Sequence, residues 1–274
     1  MITCQNFGSI DYGRFGNQVF QYSICKILSY IHDTNFHLNP SRDFLNFFDN
    51  KLSYKHFDFI HKQNIQYKEE NPFNFDKNLL KQNNIDICGF FQNLKYYENF
   101  YSIISQELKP NLKILKNAHT YINIKTKNAK LNNILSIHIR RTDYVQSKHF
   151  YNLLDIDYYI NILQNINYTH VFIISDDILN IKTELKYKYP NLFKKIIFVN
   201  ELDVYHQFYI MYLAGINILS NSTFGWWAAF LSDLINQKDV HIPFPWTNSN
   251  NANLYPQHWH KHAFKKFNWD SLFI

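Results

Sequence analysis

Hydrophobic positions change their spacing along this chain, and the change is clearest in its second half. The short apolar runs 135-LSIHI-139, 170-HVFIIS-175, 195-KIIFV-199, 216-INILS-220 and 239-DVHI-242 read as strands. Between them, 155–166, 179–188, 203–214 and 223–235 set apolar residues three and four apart and read as helices. Strands alternating with helices at this pitch predict βαβ units and a parallel sheet. Runs rich in Ile and Val, apolar on both faces, fit strands covered by helices on both sides.

The first half is less regular. Residues 1–7 are a strand candidate, and 16-GNQVFQYSICKILSYIH-32 puts Phe20, Ile24, Ile27, Leu28 and Ile31 on one helical face. A strand is predicted over 85–91 and a helix over 94–108, while 40–84 yields no assignment. Residues 109–130 read as a connection between lobes. The expectation is an α/β protein of two Rossmann-type lobes facing a cleft, 1–130 and 131–274.

Composition narrows the classes. With 274 residues, 46% hydrophobic and 18% charged, the chain is long and apolar enough to bury a sizeable core. Its most apolar region, 208–231, is interrupted by Asn217, Asn221, Ser222 and Thr223, so it does not read as a membrane span. The start, MITCQNFG, lacks a charged segment followed by an apolar one. These features point to a cytoplasmic protein and leave open peripheral contact with the cytoplasmic face of the inner membrane. A net charge of +6 permits nucleic acid, an anionic surface or a phosphorylated ligand, but the lysines are scattered, which argues against nucleic acid. Cys4, Cys25 and Cys88 form no CxxC pair and are odd in number, which fits a reducing compartment.

Three segments at strand ends carry the candidate chemistry. In 136-SIHIRRTDY-144, Ser136, His138 and Arg140 share one strand face, and Ile137 and Ile139 the other. Arg140 and Arg141 then point in opposite directions: one suits a diphosphate, and the other a brace for the loop through Asp143. An Arg–Asp ion pair at a strand edge is the plainer reading. In 216-INILSNSTFGWW-227 a strand ends at Ser220 and a helix starts near Thr223. Ser222 and Thr223 bring hydroxyls to a helix N-terminus, where phosphate binds readily and where such residues are also ordinary caps. In 174-ISDD-177, one carboxylate suits a base or ribose and the other a helix cap.

Other segments are weaker. Asp155-Ile156-Asp157 resembles a metal-binding DxD but opens a helix, where acidic residues are favoured anyway. His258, His260 and His262 alternate and suit zinc, but no acidic or cysteine ligand is close by, so 258–262 read as polar surface. Trp226 and Trp227 read as core. The loop 13-GRFGNQVFQYS-23 is neither a GxGxxG nor a Walker loop.

Together these segments resemble the bacterial α-1,2-fucosyltransferases, glycosyltransferase family 11. The resemblance rests on 13-GRFGNQVFQY-22, 89-GFFQNLKYY-97, 138-HIRRTDY-144, the SDD at 175–177 and 220-SNSTFGWW-227, in that order. The GRFGNQ spelling is also similar to the protein O-fucosyltransferases. Thr142 stands where the family usually has glycine, and 7-FGSIDYG-13 is longer and more polar than the usual lead-in.

The resemblance implies a GT-B-like fold, GDP-β-L-fucose as donor and the 2-hydroxyl of a terminal galactose as acceptor. It implies inversion at the sugar carbon, no required metal or other cofactor, and a role in surface-glycan synthesis such as lipopolysaccharide O-antigen. On this reading Arg140 meets the β-phosphate, with Ser222, Thr223 and the Phe224 amide completing the clamp. His138 and Asp177 or Asp203 recognise guanine or ribose, and Arg141 and Asp143 hold the loop. Asn17 reaches the pyrophosphate or sugar, and Arg14 and Gln18 lie on the acceptor side. Asp11, Asp143 and His138 are candidates for the base. The alternatives are another GDP-sugar such as GDP-colitose, another fucosyl linkage, or a nucleotide- or glycan-binding protein without catalysis.

Overall fold

The computed structural model describes residues 1–9, 13–49, 52–57, 65–144, 152–247 and 253–264. The chain divides into two units, Met1–Leu112 with Asn251–Pro256, and Lys113–Asn250 with Gln257–Ile274. The division therefore falls after Leu112 rather than near residue 130.

In the first unit the order is β1 (Ile2–Thr3), α1 (Phe15–Ile31), β2 (Phe36–Leu38), α2 (Arg42–Asn46), β3 (Lys55–His56), β4 (Ile65–Lys68), β5 (Ile85–Cys88) and α3 (Tyr101–Glu107). The strands form a parallel sheet in the order β3-β2-β1-β5-β4. The strand expected over residues 1–7 is two residues long, and strands this short leave no alternation for a sequence to display. The apolar face of α1 is buried, with Phe20, Tyr22, Ile24, Ile27 and Leu28 excluded from water. Tyr22 meets Phe36 edge-on at 5.3 Å, tying α1 to β2. The helix expected over 94–108 is broken: 3₁₀ turns at Leu94–Tyr96 and Glu98–Phe100 precede α3. Asn93 accepts a hydrogen bond from the Lys95 amide at 3.0 Å, and the Leu94 amide donates to the Asn253 carbonyl at 2.8 Å. Both bonds fit a turn better than a continuing helix.

The segment expected as a connection holds α4 (Leu112–Thr126). Its Ala118 and Ile122 are buried, and Tyr121 packs on Phe172 and donates to Glu201 at 2.8 Å. The helix thus belongs to the packing of the second unit, which explains the shifted division. Next come β6 (Ile134–Ile139), α5 (Ile156–Leu163), β7 (His170–Ser175), α6 (Ile178–Lys188), α7 (Pro190–Phe193) and β8 (Ile196–Phe198). Then follow α8 (Val204–Leu213), β9 (Ile216–Ile218), α9 (Thr223–Asp233), β10 (Asp239–Phe244) and β11 (His260–Ala263). Every helix and strand predicted in the second half is present, with bounds within two residues of expectation except α5, which ends three residues early at Leu163.

The second sheet is parallel throughout, in the order β11-β10-β9-β6-β7-β8. Central β6 is buried at every position. Leu135, Ile137 and Ile139 pack with Ile156, Tyr159, Ile160, Ile181 and Leu185 of α5 and α6. Each such side chain contributes about 1.5–3 kcal/mol by leaving water. On the opposite face sit Ser136 and His138, and the Ser136 hydroxyl donates to Asn217 Oδ1 at 2.8 Å. Trp226 and Trp227 are buried in the core, as expected. Among the described residues, no helix is long and apolar enough to cross a membrane.

Candidate active site

In both sheets the chain reverses its winding direction once. In the second unit the reversal falls between β6 and β9, which are neighbours in the sheet though far apart in sequence. Loops leaving the carboxyl ends of two such strands diverge and open a crevice, the usual ligand site of open α/β sheets. The loop after β6 carries Arg140, Arg141 and Asp143, and the loop after β9 carries Ser220, Asn221 and Ser222.

Arg140 is held in a fork. Its Nε and Nη2 donate to Asp143 Oδ1 and Oδ2 at 2.8 and 2.9 Å, and its Nη1 lies 3.1 Å from Asp176 Oδ2. A guanidinium has five N–H donors, so two remain beyond these contacts. Arg141 turns the other way, to Glu184 of α6 at 2.8 Å. The two arginines therefore do separate jobs, but the bracing differs from expectation. Asp143 holds Arg140, and Glu184 holds Arg141.

Asp176, just past the end of β7, holds this loop from the neighbouring strand end. It accepts from the Arg141 amide at 3.0 Å, the Thr142 amide at 3.2 Å and the Thr142 hydroxyl. Burial opposes its ionisation, but the Thr142 hydroxyl and Arg140 outweigh burial and hold its carboxyl below the usual range. Asp177, the residue singled out from the sequence, instead accepts from Asn180 at 2.8 Å and stands at the start of α6 without capping it. The sequence signal for Asp176 was its position just past a strand end. Thr142, where the family usually has glycine, supplies a hydroxyl that Asp176 uses.

The two loops are stitched together. The Ser220 amide donates to the His138 carbonyl at 3.0 Å, and the Ser220 hydroxyl lies 3.3 Å from His138 Nδ1. The Tyr144 hydroxyl donates to the Asn221 carbonyl at 2.6 Å. Asn221 in turn donates to the Asn152 and Trp246 carbonyls, both at 3.2 Å. His138 is buried, and burial followed by the nearby Arg140 charge lowers its pKa to about 4. It is neutral near pH 7. Its ring lies 5.7 Å from that of Phe224.

Ser222 is the N-cap residue of α9, yet its side chain makes no capping hydrogen bond. Thr223 and Phe224 open the helix, where the peptide dipoles favour a negative ligand. Asp203 caps α8, accepting from the His206 amide at 2.9 Å and pairing with its ring at 2.7 Å, so its carboxylate has a structural task. Asp155 likewise caps α5, accepting from the Tyr158 amide at 2.8 Å, as its place at a helix start implied.

The first unit repeats the logic. Its sheet reverses between β1 and β5. The loop after β1 leads to Gly13, Arg14 and α1, and the loop after β5 carries Gly89–Gln92. Asn17 Oδ1 accepts from Gln92 Nε2 at 2.9 Å, and Gln21 Nε2 donates to the Gly89 carbonyl at 2.9 Å. Gly13 has φ +89°, and a Cβ there would lie 2.1 Å from Asn17 Nδ2, so glycine is required twice over. Gln18 reaches back to the Gly13 carbonyl at 3.4 Å, and Arg14, the N-cap of α1, is exposed. Glu69 supports the second loop, accepting from the Phe90 and Phe91 amides at 2.7 and 2.9 Å. Burial raises the Glu69 pKa to about 7 against those two bonds. Gln92 lies in the string 89-GFFQNLKYY-97 and Glu69 in the unassigned stretch 40–84, and neither takes a role of its own from the sequence because their partners are distant along the chain. Asp11 lies outside the described residues.

The Glycosyl transferase family 11 model matches residues 4–272. The O-antigen biosynthesis glycosyltransferase WbnK of Escherichia coli is 27% identical over 182 residues, 62% of this chain and 58% of that protein. An alpha-1,2-colitosyltransferase of Escherichia coli is 28% identical over 200 residues, 64% of this chain and 61% of that protein. These matches thus span about three fifths of each relative. Among solved structures, POFUT1 in complex with GDP-fucose aligns with a TM-score of 0.54 at 14% identity, covering 88% of this chain and 96% of that one. NodZ alpha-1,6-fucosyltransferase soaked with GDP-fucose aligns with a TM-score of 0.50 at 12% identity, covering 84% and 91%. At such identities the likeness is one of fold, an α/β, GT-B-like fold with two parallel sheets. With its family model matched from residue 4 to residue 272, this chain belongs to glycosyl transferase family 11.

Proposed function

We propose that this protein transfers L-fucose from GDP-β-L-fucose to the 2-hydroxyl of a terminal galactose in a surface glycan, with inversion and without a catalytic metal. The observation that carries the reading is Arg140, fixed by Asp143 and Asp176 where the second sheet reverses, on a loop bonded to the start of α9. Departure of GDP from the sugar carbon leaves negative charge growing on the β-phosphate. A preorganised guanidinium and a helix N-terminus stabilise that charge without reorganising at the moment of reaction. Arg140 therefore meets the β-phosphate, with Ser222, Thr223 and Phe224 beside it. His138 and Asp177 or Asp203 contact guanine or ribose. Arg141 holds the loop through Glu184. In the first unit Asn17 contacts the sugar diphosphate, and Arg14 and Gln18 serve the acceptor. Asp143, paired with Arg140, is the candidate base for the acceptor hydroxyl. The enzyme then works in the cytoplasm, at the inner face of the membrane where the glycan is assembled.

A second donor is supported by one observation, the 28% identity to an alpha-1,2-colitosyltransferase. GDP release from GDP-β-L-fucose and GDP-colitose, each with and without lactose, separates the readings. The proposal expects lactose-dependent release from GDP-β-L-fucose and a 2-O-fucosylated product. Faster turnover of GDP-colitose supports the second donor. GDP binding without release for any galactoside leaves a non-catalytic binding protein. An initial rate that collapses in chelator-treated, still folded enzyme and returns with a divalent ion overturns the metal-free mechanism.

A further inference from the structure

The alternating histidines at 258–262 look from the sequence like polar surface without an acidic neighbour. The fold corrects this. β11 adds to β10 as a parallel edge strand with His260 beside His241 in register, and this brings in Asp239 from the start of β10. His241 Nε2 lies 3.0 Å, and His260 Nε2 3.2 Å, from the same oxygen, Asp239 Oδ1. All three ligand atoms lie within 4.8 Å of one another. A tetrahedral ion with bonds of about 2.0 Å has ligand atoms about 3.3 Å apart, close to the two spacings involving Asp239.

Two of these atoms have no other employment. Asp239 Oδ1 and His241 Nε2 are enclosed, and beyond their contacts with each other and with His260 neither makes a hydrogen bond with a described group. His241 Nδ1 contacts His262 Nε2 at 2.8 Å. When Nδ1 donates in that contact, the Nε2 lone pair of His241 faces the carboxylate oxygen. In that tautomer two lone pairs face each other 3.0 Å apart in an enclosed spot, and a cation between them removes their repulsion. His262 then plays the part of the outer partner that orients a metal-bound imidazole.

We propose that Asp239, His241 and His260 bind a divalent transition metal of the zinc class. Two imidazoles and one carboxylate suit Zn²⁺, Co²⁺ or Ni²⁺ better than the all-oxygen preference of Mg²⁺. The ion pins edge strand β11 to β10 and leaves a coordination position for water, His260 being exposed. Asp239 opens β10, and Arg140 follows the carboxyl end of β6 in the same parallel sheet. The metal is thus a structural pin, distinct from the phosphate chemistry proposed above and independent of that reading.

The test uses the full chain, first stripped with a chelator. Zn²⁺ alone is titrated against a chromogenic chelator, and Co²⁺ absorption reports the ligand geometry. The expected results are one ion per chain, an intense tetrahedral-type Co²⁺ spectrum, and a Zn²⁺-dependent rise in melting temperature of several degrees. His260→Ala, at an exposed edge position that the fold tolerates, weakens Zn²⁺ binding at least tenfold, as does Asp239→Asn. His258→Ala leaves it unchanged, since His258 pairs elsewhere, with Asp233 at 2.7 Å. Absence of stoichiometric binding by the folded wild-type chain overturns the proposal. Equal losses in all three variants overturn it too.

Discussion

A single guanidinium bears most of the chemistry proposed for this protein. Arg140→Ala removes the donor proposed to meet the departing phosphate, so kcat falls about 10²–10³-fold, as for other lost electrostatic stabilisers. Near-normal turnover in that variant sinks the assignment. Asn17→Ala acts differently, because Asn17 belongs to the first unit and is held by Gln92. Transfer drops more than GDP affinity, which calorimetry and steady-state rates resolve side by side. With a pKa of about 4, His138 stays neutral near pH 7, so it contributes no titration near 6.5 to the kcat profile. Legibility at this scale was uneven. The sequence named Arg140, Asn17 and Ser222 because they sit in recognisable strings. It did not separate Asp176 from Asp177 and gave Glu184 and Gln92 no role of their own, because these residues matter through partners 34 to 75 positions away that no local pattern displays.

At the scale of elements, helix α9 shows a conflict that the fold resolves in favour of the site. Gly225 lies in its first turn, where alanine is the better helix former by about 1 kcal/mol. A Cβ at Gly225 would meet His138 Nδ1 at 2.7 Å and Leu219 Cδ2 at 3.3 Å. Gly225→Ala therefore displaces the His138 ring from Ser220, destabilises the second unit by about 1–3 kcal/mol and raises KM for the donor. Chemical denaturation checks the first effect, and a stabilised variant would show that helix propensity prevails. The same scale explains the uneven reading of the two halves. Strands such as β6 and β7, six residues each, announce themselves by apolar runs. Strands such as β1 and β3, two residues each, are made by the sheet around them. The broken helix at 94–108 failed for another reason, because its Leu94 amide is taken by a segment more than 150 residues later.

For the whole molecule, stability depends on pH through a carboxyl of the first unit that the proposed chemistry does not use. Glu69 has an ordinary value of 4.5 and titrates near 7 in the fold. Its folded pKa is raised, so its contribution is fully present below pH 4.5 and is lost as pH rises through 7. The shift corresponds to about 3 kcal/mol, to order of magnitude. Glu69→Gln keeps an acceptor for the Phe90 and Phe91 amides but cannot ionise. It raises the melting temperature above pH 7 and has little effect near pH 5, which a scan of melting temperature against pH checks.

The return of Asn251–Pro256 to the first unit has a practical consequence for engineering. Leu254 is fully buried, and Asn253 supplies the acceptor for the Leu94 amide. A chimera joined once at residue 112, made to exchange donor or acceptor preference with a relative, would leave the first unit with a foreign plug. Grafting residues 251–256 together with 1–112 restores the match. The heritable module here is discontinuous, and recombination that respects it needs three junctions where the linear sequence suggests one.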